Sequence, residues 1–271
     1  MENDLLQQFE KLEAQRKRKK VTIALVPIGI LILIILILVI VNQPAPTCFD
    51  GRKNGNEEGI DCGGNCVACG IKYAVPLEAL SSDVLGVSQS ASEVAVKIQN
   101  NNSGYGAKFG YIFNLFDQLG DRIDQVQGQS FILPNSVKYL IEPKVDVKST
   151  DVIRVEVLFV DTTWFASDKS AGDLFDIFDK HLQLMSATET GYLQASGKLI
   201  NKTSHYFSKV GVTILIKSKT GRLLHAAKTE ISDVNANESA KSLLYSGFPY
   251  FPGFQEIDLN SFEVYADALI E

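Results

Sequence analysis

Four cysteines are the residues whose chemistry is most readily predicted from their type and spacing. They lie within 22 residues in the pattern C-x13-C-x3-C-x2-C: Cys48, Cys62, Cys66 and Cys69. Four thiolates at this spacing could complete a zinc tetrahedron. Oxidised cysteines could instead close two disulfides in any of three pairings. Because disulfides persist outside the cytoplasm, the compartment decides between the two chemistries.

Hard oxygen donors lie between the first two cysteines, namely Asp50, Asn54, Glu57 and Asp61. Calcium prefers such ligands, although their spacing is not that of an EF-hand loop. The same residue types beside glycine also form turns and solvated charges. We slightly favour turn formation, and calcium is the one cofactor that these residues suggest.

The surrounding segment, residues 47–70, has too few apolar residues for a core. Phe49, Ile60 and Val67 are its only large apolar side chains. A segment of this size and composition folds only when cross-links replace the core. The sequence therefore predicts a small knot closed by disulfides.

The spacing of this segment carries a resemblance to a known motif. The run C-x-D-G-x-x-N-G-x-E-x-G-x-D-C-G-G-x-C-x-x-C extends from Cys48 to Cys69. It resembles a short cysteine motif that recurs in bacterial envelope and surface proteins. The resemblance implies an extracytoplasmic module and no particular activity.

An uncharged segment precedes the cysteines and predicts a membrane-spanning helix. Residues 21–41 contain Thr22 as their only polar side chain. A helix of this length extends about 31 Å, close to the ~30 Å of a bilayer's hydrocarbon core. A buried helix of a soluble protein is a poorer interpretation of so long an apolar run. A cleavable signal peptide would have a shorter apolar region and a small-residue cleavage site. We therefore predict an uncleaved signal anchor.

The charges beside this segment predict its orientation. Five consecutive bases, residues 16–20, adjoin its N-terminal side, whereas Arg52 is the first base after it. The positive-inside rule places residues 1–20 in the cytoplasm and residues 43–271 outside. The predicted location is the plasma membrane, crossed once at residues 21–41, and the cysteines then lie in an oxidising compartment.

The overall charge excludes one class of partner. The chain has 26 Lys and Arg against 32 Asp and Glu, and residues 43–271 carry a net charge of −8. Nucleic-acid binding needs a clustered basic surface, so we expect none.

The sequence contains no recognisable catalytic pattern. The three histidines, His181, His205 and His225, have no metal-ligand spacing, and we expect them on the surface. There is no nucleophile elbow, phosphate-binding glycine loop or dinucleotide fingerprint. We therefore expect a protein that is not an enzyme.

Short alternating strands follow the cysteine-rich segment and predict an all-β region. We expect strands at 93–99, 111–116, 152–160, 193–200, 210–217, 223–231 and 262–268. The one stretch after residue 70 that is compatible with a helix is Asp173–His181.

An internal repeat divides this region. A shift of 101 residues aligns the 27 positions from Lys97 with those from Lys198 without a gap. Identical pairs include Asn100/Asn201, Gly110/Gly211 and Gly120/Gly221, and apolar positions such as Phe113/Ile214 coincide. We predict two domains, residues 74–165 and 173–271, with Phe113 and Ile214 as equivalent buried positions.

The repeat resembles the bacterial F-x-L-Y-D domain. The first copy reads Phe113-x-Leu115-Phe116-Asp117 and is followed by Gly120, whereas residues 214–218 of the second copy keep only the apolar pattern. The resemblance implies two tandem antiparallel immunoglobulin-like sandwiches after the membrane helix. A water-stress sandwich of the late-embryogenesis type is the neighbouring alternative.

Together these features predict a membrane-anchored, extracytoplasmic interaction or structural protein of the cell envelope that is not an enzyme. Its expected partner, besides the membrane, is a protein or an envelope polymer. The alternative is a ligand-capturing receptor or an enzyme that uses a cleft between the two β-domains.

Two aromatic stretches accompany this prediction. Trp164-Phe165 is expected to pack at the interdomain junction, and residues 248–254 are a candidate binding surface if exposed.

Overall fold

The computed structural model describes residues 2–42, 45–185, 193–237, 241–248 and 254–270. The chain divides into two compact units, residues 1–68 and 69–271. As predicted, the fold is mainly β, with antiparallel sheets and an N-terminal apolar helix.

The first unit begins with α1 (Glu2–Val41), which runs without a break through Pro27. Its part from Arg16 to Val41 is long and apolar enough to cross a membrane, alone among the described helices. The described side chains of this stretch are exposed. A core helix of a soluble protein would be covered on at least one face. The rest of this unit consists of turns and an isolated bridge between Gly59 and Cys62.

The second unit contains twelve described strands and two short helices, α2 (Cys69–Lys72) and α3 (Ala171–Leu174). The strands are β1 (Glu78–Gly86), β2 (Ser92–Asn100), β3 (Tyr105–Phe116), β4 (Arg122–Ile132), β5 (Ser136–Val145), β6 (Arg154–Ala166), β7 (Phe175–Leu184), β8 (Leu193–Asn201), β9 (Phe207–Ser218), β10 (Leu223–Val234), β11 (Lys241–Phe248) and β12 (Ile257–Asp267).

The strand order of the first six strands is repeated by the last six. The first repeat (β1 to β6) forms the sheets β1-β2-β5 and β4-β3-β6, and the second repeat (β7 to β12) forms β7-β8-β11 and β10-β9-β12. The register also repeats, because Phe113 pairs with Val126 as Ile214 pairs with Ala227. The 101-residue offset in the sequence is therefore an offset between equivalent strands.

Each repeat has a core between its two sheets. In the first repeat, apolar residues of β2 such as Val96 meet residues of β3 such as Phe109. Phe113 and Ile214 are both fully buried, which confirms the prediction made for these two positions. The alternation of apolar residues along β3 and β9 is what turns these side chains inward.

The predicted helix at Asp173–His181 is wrong. Only α3 is helical there, and Ser170 and Asp173 cap its N-terminus with a capping box. The chain then enters β7, in which Phe175 pairs with Asn201 and Leu184 with Leu193. Apolar residues in this stretch fit both the helical and the strand period, and the neighbouring β8 decides the outcome by pairing with its backbone.

A third apolar cluster joins the two repeats. It consists of Ala95, Ile141, Leu215, Leu223 and Ala226, with Leu85 and Tyr139 packed against it. These residues lie on β1, β2 and β5 of the first repeat and on β9 and β10 of the second. The sheet β1-β2-β5 is therefore covered on both faces, which explains why β2 is buried almost throughout its length.

Candidate functional site

The cysteine-rich segment is closed by disulfides. Cys48 and Cys66 are bonded, with an S–S distance of 2.03 Å and a Cα–Cα distance of 5.5 Å. Cys62 and Cys69 are disulfide-bonded as well, and no cysteine is free. Ligand atoms of Cys48, Glu57 and Cys66 lie within 4.8 Å of one another. Because both of these sulfurs belong to a disulfide, they cannot serve as thiolate ligands for zinc.

Asp50 organises the first turn of this segment. Its Oδ1 accepts a hydrogen bond from Arg52 N at 2.9 Å, and its Oδ2 accepts one from Asn54 Nδ2 at 2.8 Å. The bond from Asn54, followed by the bond from Arg52, lowers the pKa of the Asp50 carboxyl. The carboxylate therefore stays ionised at neutral pH and holds the turn as an Asx motif.

Glu57 and Asp61 also bind backbone N–H groups. Glu57 Oε2 accepts hydrogen bonds from Asn54 N and Asp61 N, each at 3.2 Å. The Asp61 carboxylate accepts from Gly51 N at 3.0 and 3.2 Å. Each of the three acids predicted to bind calcium thus stabilises a turn, as the favoured interpretation of turn formation expects.

One atom of the segment fits a cation. Asn54 Oδ1 is buried, and no described residue provides it with a hydrogen-bond partner. An amide oxygen is a hard ligand of the kind that calcium takes, and Asp50 lies beside Asn54. Calcium binding therefore stays a prediction, and among the described residues the carboxylates of Asp50, Glu57 and Asp61 do not form a group of ligand atoms within 4.8 Å of one another.

A cleft of about 820 Å³ lies between the two repeats. Its volume falls in the range of small-molecule sites. It is lined by aromatic rings and by polar side chains, which include Tyr111, Phe131, Tyr139, Tyr206, Lys138, Lys209, Lys228 and Asp267.

Two of the three cleft lysines are paired with acids. Lys138 Nζ lies 2.6 Å from Asp267 Oδ2 and 3.8 Å from the centre of the Phe131 ring. Lys209 Nζ lies 3.0 Å from Glu230 Oε2. Lys228 forms no ion pair within 4 Å among the described residues. Partial loss of water lowers the pKa of Lys228, and the charge of Glu142 opposes this shift.

Tyr111 forms part of the wall of the cleft. It is 3% exposed, and its hydroxyl donates a hydrogen bond to Glu142 Oε1 at 2.5 Å. Burial, followed by this bond, raises the pKa of Tyr111. Its phenol is therefore neutral at physiological pH and acts as a hydrogen-bond donor.

A buried polar pair between the repeats was not predicted. Glu93 is fully buried and His225 is 7% exposed, and His225 Nδ1 lies 2.7 Å from Glu93 Oε2. Glu93 Oε1 also accepts a hydrogen bond from Ala226 N at 2.6 Å. The prediction that His225 lies on the surface is wrong, because the outer face of β10 is covered by the first repeat. No sequence signal marks Glu93, which alternates with Val94 as a solvent-facing residue would.

The remaining predicted positions are separate from this pair. His181 and His205 are exposed. Trp164 packs on the core of the first repeat, whereas Phe165 packs on the core of the second, which confirms the prediction for Phe165 at the junction. Of the aromatic stretch 248–254, residues 249–253 lie outside the described residues.

Comparisons with known proteins add little to this description. No family model and no curated protein matches the chain. Among solved structures, the chain is similar to red sea bream transglutaminase at 11% sequence identity and a TM-score of 0.21. The likeness covers 63% of this chain and 27% of the transglutaminase, so it spans about a quarter of that enzyme. A likeness this distant supports neither a fold family nor an activity.

Proposed function

We propose that this protein is a membrane-anchored, extracytoplasmic interaction or structural protein of the cell envelope, and that it is not an enzyme. The observation that carries the proposal is the arrangement around α1. Five consecutive bases precede the apolar stretch, and a disulfide-closed segment follows it. Bases favour the cytoplasmic side of a membrane, and disulfides persist on the oxidising side.

Topology is tested with two reagents on the full chain in spheroplasts. External protease should remove residues 43–271 and spare the N-terminal tail. A membrane-impermeant thiol reagent should label the cysteines only after reduction, because all four are disulfide-bonded. Full protection of the β unit, or labelling without reductant, would contradict the proposal.

We infer that the β unit is the part that meets a partner, either a protein or an envelope polymer. The two repeats share an apolar cluster and the Glu93–His225 contact, so they present their exposed surfaces as one body. The repeated sheet order is compatible with two immunoglobulin-like sandwiches of the F-x-L-Y-D type at 74–165 and 173–271. A rigid scaffold of this kind lowers the entropy cost of binding a partner, because its surface is already ordered.

The second candidate function is a ligand-capturing receptor that uses the cleft. Lys228, which forms no ion pair among the described residues, lines a cleft of about 820 Å³ and favours an anionic ligand with a body that aromatic rings can contact. A suitable probe is an oligosaccharide that carries carboxylates. A charge-assisted hydrogen bond contributes ~1.5–3 kcal/mol, so Lys228→Met should weaken binding by about ten-fold or more. The exposed Lys219, outside the cleft, provides the control Lys219→Met, which should bind as the parent does. No binding, or equal binding by both variants, would remove this candidate.

Calcium binding to the cysteine-rich segment is a separate proposal. The residues that would hold the ion are Asp50, Asn54, Glu57 and Asp61, and Asn54 Oδ1 has no hydrogen-bond partner within the part of the chain that the structure describes. The bound ion would screen the three carboxylates and stiffen the loop. Calorimetric titration should show one site that Glu57→Gln weakens. The adjacent and exposed Glu58 gives the matched control Glu58→Gln, which should leave it unchanged. Absence of heat would remove the metal and leave the disulfides intact.

A further inference from the structure

The disulfide-closed segment exposes its few large apolar side chains. Phe49 is 93% exposed, and Ile60 and Val67 are each 49% exposed. Phe49 follows Cys48, and Val67 follows Cys66, so the Cys48–Cys66 bond brings their backbones close together. Cross-links hold this segment, which has no core that would require a phenylalanine or a valine. The exposed ring of Phe49 and the exposed methyl groups of Ile60 and Val67 are therefore available for a contact outside the segment.

The chain length limits where that contact can be. Phe49 lies seven residues after Asn42, the first residue after α1. A fully extended chain of seven residues reaches at most about 25 Å. If Val41 lies at the end of the membrane span, Phe49 cannot leave the neighbourhood of the bilayer surface. Such a short tether gives a high effective concentration, so a modest apolar contact is sufficient to keep the loop on the lipid.

Charge does not provide this contact. Residues 47–68 carry Asp50, Glu57, Glu58 and Asp61 against Arg52 and Lys53. An anionic membrane surface would not attract a segment with this balance. Apolar insertion is the remaining force, and phenylalanine is among the side chains that interfacial segments bury at the boundary between headgroups and acyl chains.

We propose that Phe49 and Val67 insert into the lipid interface and seat the disulfide-closed segment on the outer surface of the membrane. The occupant of this apolar surface is the bilayer that α1 crosses. The inference rests on the proposed membrane anchor, because without it the tether has no fixed end. The disulfide-closed segment then acts as a second membrane contact, just before the β unit begins in the sequence.

Tryptophan fluorescence of the full chain in zwitterionic vesicles tests this proposal. The only native tryptophan is replaced by Trp164→Phe. Into that background a single reporter is introduced as Phe49→Trp, as Val67→Trp, or as Ile35→Trp in the middle of the apolar stretch. Each variant is exposed to a quencher attached to lipid and, separately, to a quencher in water.

The three reporters separate the inference from the anchor on which it rests. We expect the lipid quencher to reduce the emission of Trp at positions 49 and 67 by roughly half, as for interfacial side chains. The aqueous quencher should act on them less than on free tryptophan. In one outcome, both reporters of the disulfide-closed segment respond only to the aqueous quencher, while the reporter at position 35 responds to the lipid quencher. This outcome would contradict the insertion of Phe49 and Val67 and would leave the proposed membrane anchor supported. If the reporter at position 35 does not respond to lipid, the proposed anchor itself fails.

Discussion

The two repeats use the same polar residue to close the same turn. Asn100 ends β2 and donates to Leu133 O, and its Oδ1 accepts from Asn102 N. Asn201 ends β8 and donates to Asn235 O, and its Oδ1 accepts from Thr203 N. Both asparagines are buried. The repeats are therefore alike in their internal hydrogen bonds as well as in strand order.

The hairpin after the central strand shows the same likeness with a different residue. Asp117 Oδ1 accepts hydrogen bonds from Leu119 N and Asp121 N, and each bond is 2.9 Å long. In the second repeat, Ser218 Oγ accepts the corresponding bonds from Thr220 N and Arg222 N. A glycine with positive φ follows in both turns, at 86° for Gly120 and 83° for Gly221. An L side chain rarely adopts this conformation, so glycine is required at both positions.

The outer faces of the repeats differ, and this difference explains how they are joined. In the second repeat, Leu215 and Ala226 lie on the outer face of β9 and β10 and are buried against the first repeat. The equivalent positions of the first repeat are Asn114 and Gln125. This face of the first repeat therefore has amides where the second repeat has the apolar residues of the joining cluster.

The buried polar pair belongs to the same difference. Glu93 and His225 meet across the covered face, whereas their equivalents one repeat away are Gln194 and Asp124. Gln194 bonds to its neighbour Gln183 on an exposed surface. We therefore expect the pair to help specify which faces join, in addition to the apolar cluster.

The largest expected effect tests the likeness of the two cores. Phe113→Ala should lower the free energy of unfolding by about 3–5 kcal/mol, because it leaves a cavity in a fully buried site. Ile214→Ala should cost about 2–5 kcal/mol for the same reason. Urea unfolding of the detergent-solubilised chain measures both. A cost below that of an ordinary surface change at either site would show that the positions are not equivalent.

The next effect tests what joins the repeats. Glu93→Ala leaves Ala226 N without its acceptor inside a covered interface and removes the carboxylate that lies 2.7 Å from His225 Nδ1. We expect a loss of about 3 kcal/mol, near the lower limit for breaking a buried pair. The two repeats should then unfold in separate steps. The equivalent change on the uncovered face, Gln194→Ala, should cost less than about 0.5 kcal/mol. Equal losses of stability for the two variants would show that the Glu93–His225 pair does not stabilise the interface between the repeats.

A smaller effect is expected at the buried asparagines. Asn100→Ala and Asn201→Ala each leave buried backbone groups without a partner. Each should therefore cost about 2 kcal/mol, within the range for unsatisfied polar groups. Hydrogen exchange should speed up at Asn102 N in the first variant and at Thr203 N in the second. Acceleration that spreads over a whole repeat would indicate a role beyond the turn.

The smallest effect concerns the hairpins. Asp117→Ala and Ser218→Ala each remove one acceptor of two backbone N–H groups at the edge of a sheet. The loss should be about 1 kcal/mol in each case, because water replaces part of the bonding. Asp117→Ser, which copies the second repeat, should recover most of the stability in thermal unfolding. Failure of this exchange would show that the two turns are not interchangeable.

The sequence alone determined the elements whose signals are local. An uncharged run of 21 residues predicts α1 wherever the rest of the chain lies, since its length and composition are sufficient. Cysteine spacing and the lack of a core predict the cross-linked segment. The 101-residue offset predicts that Phe113 and Ile214 occupy the same place, because alternation with a period of two assigns residues to faces.

Only the tertiary structure decided which faces are covered. Alternation along β2 turns Val94 inward and leaves Glu93 and Ala95 facing outward. It contains no information on whether a second layer lies there. The second repeat supplies that layer through β9 and β10, so Glu93 and His225 are buried although their pattern is that of surface residues. The apolar residues of β7 fit both the helical period of 3.6 and the strand period of two. Pairing with β8, which satisfies the backbone hydrogen bonds of β7, selected the strand.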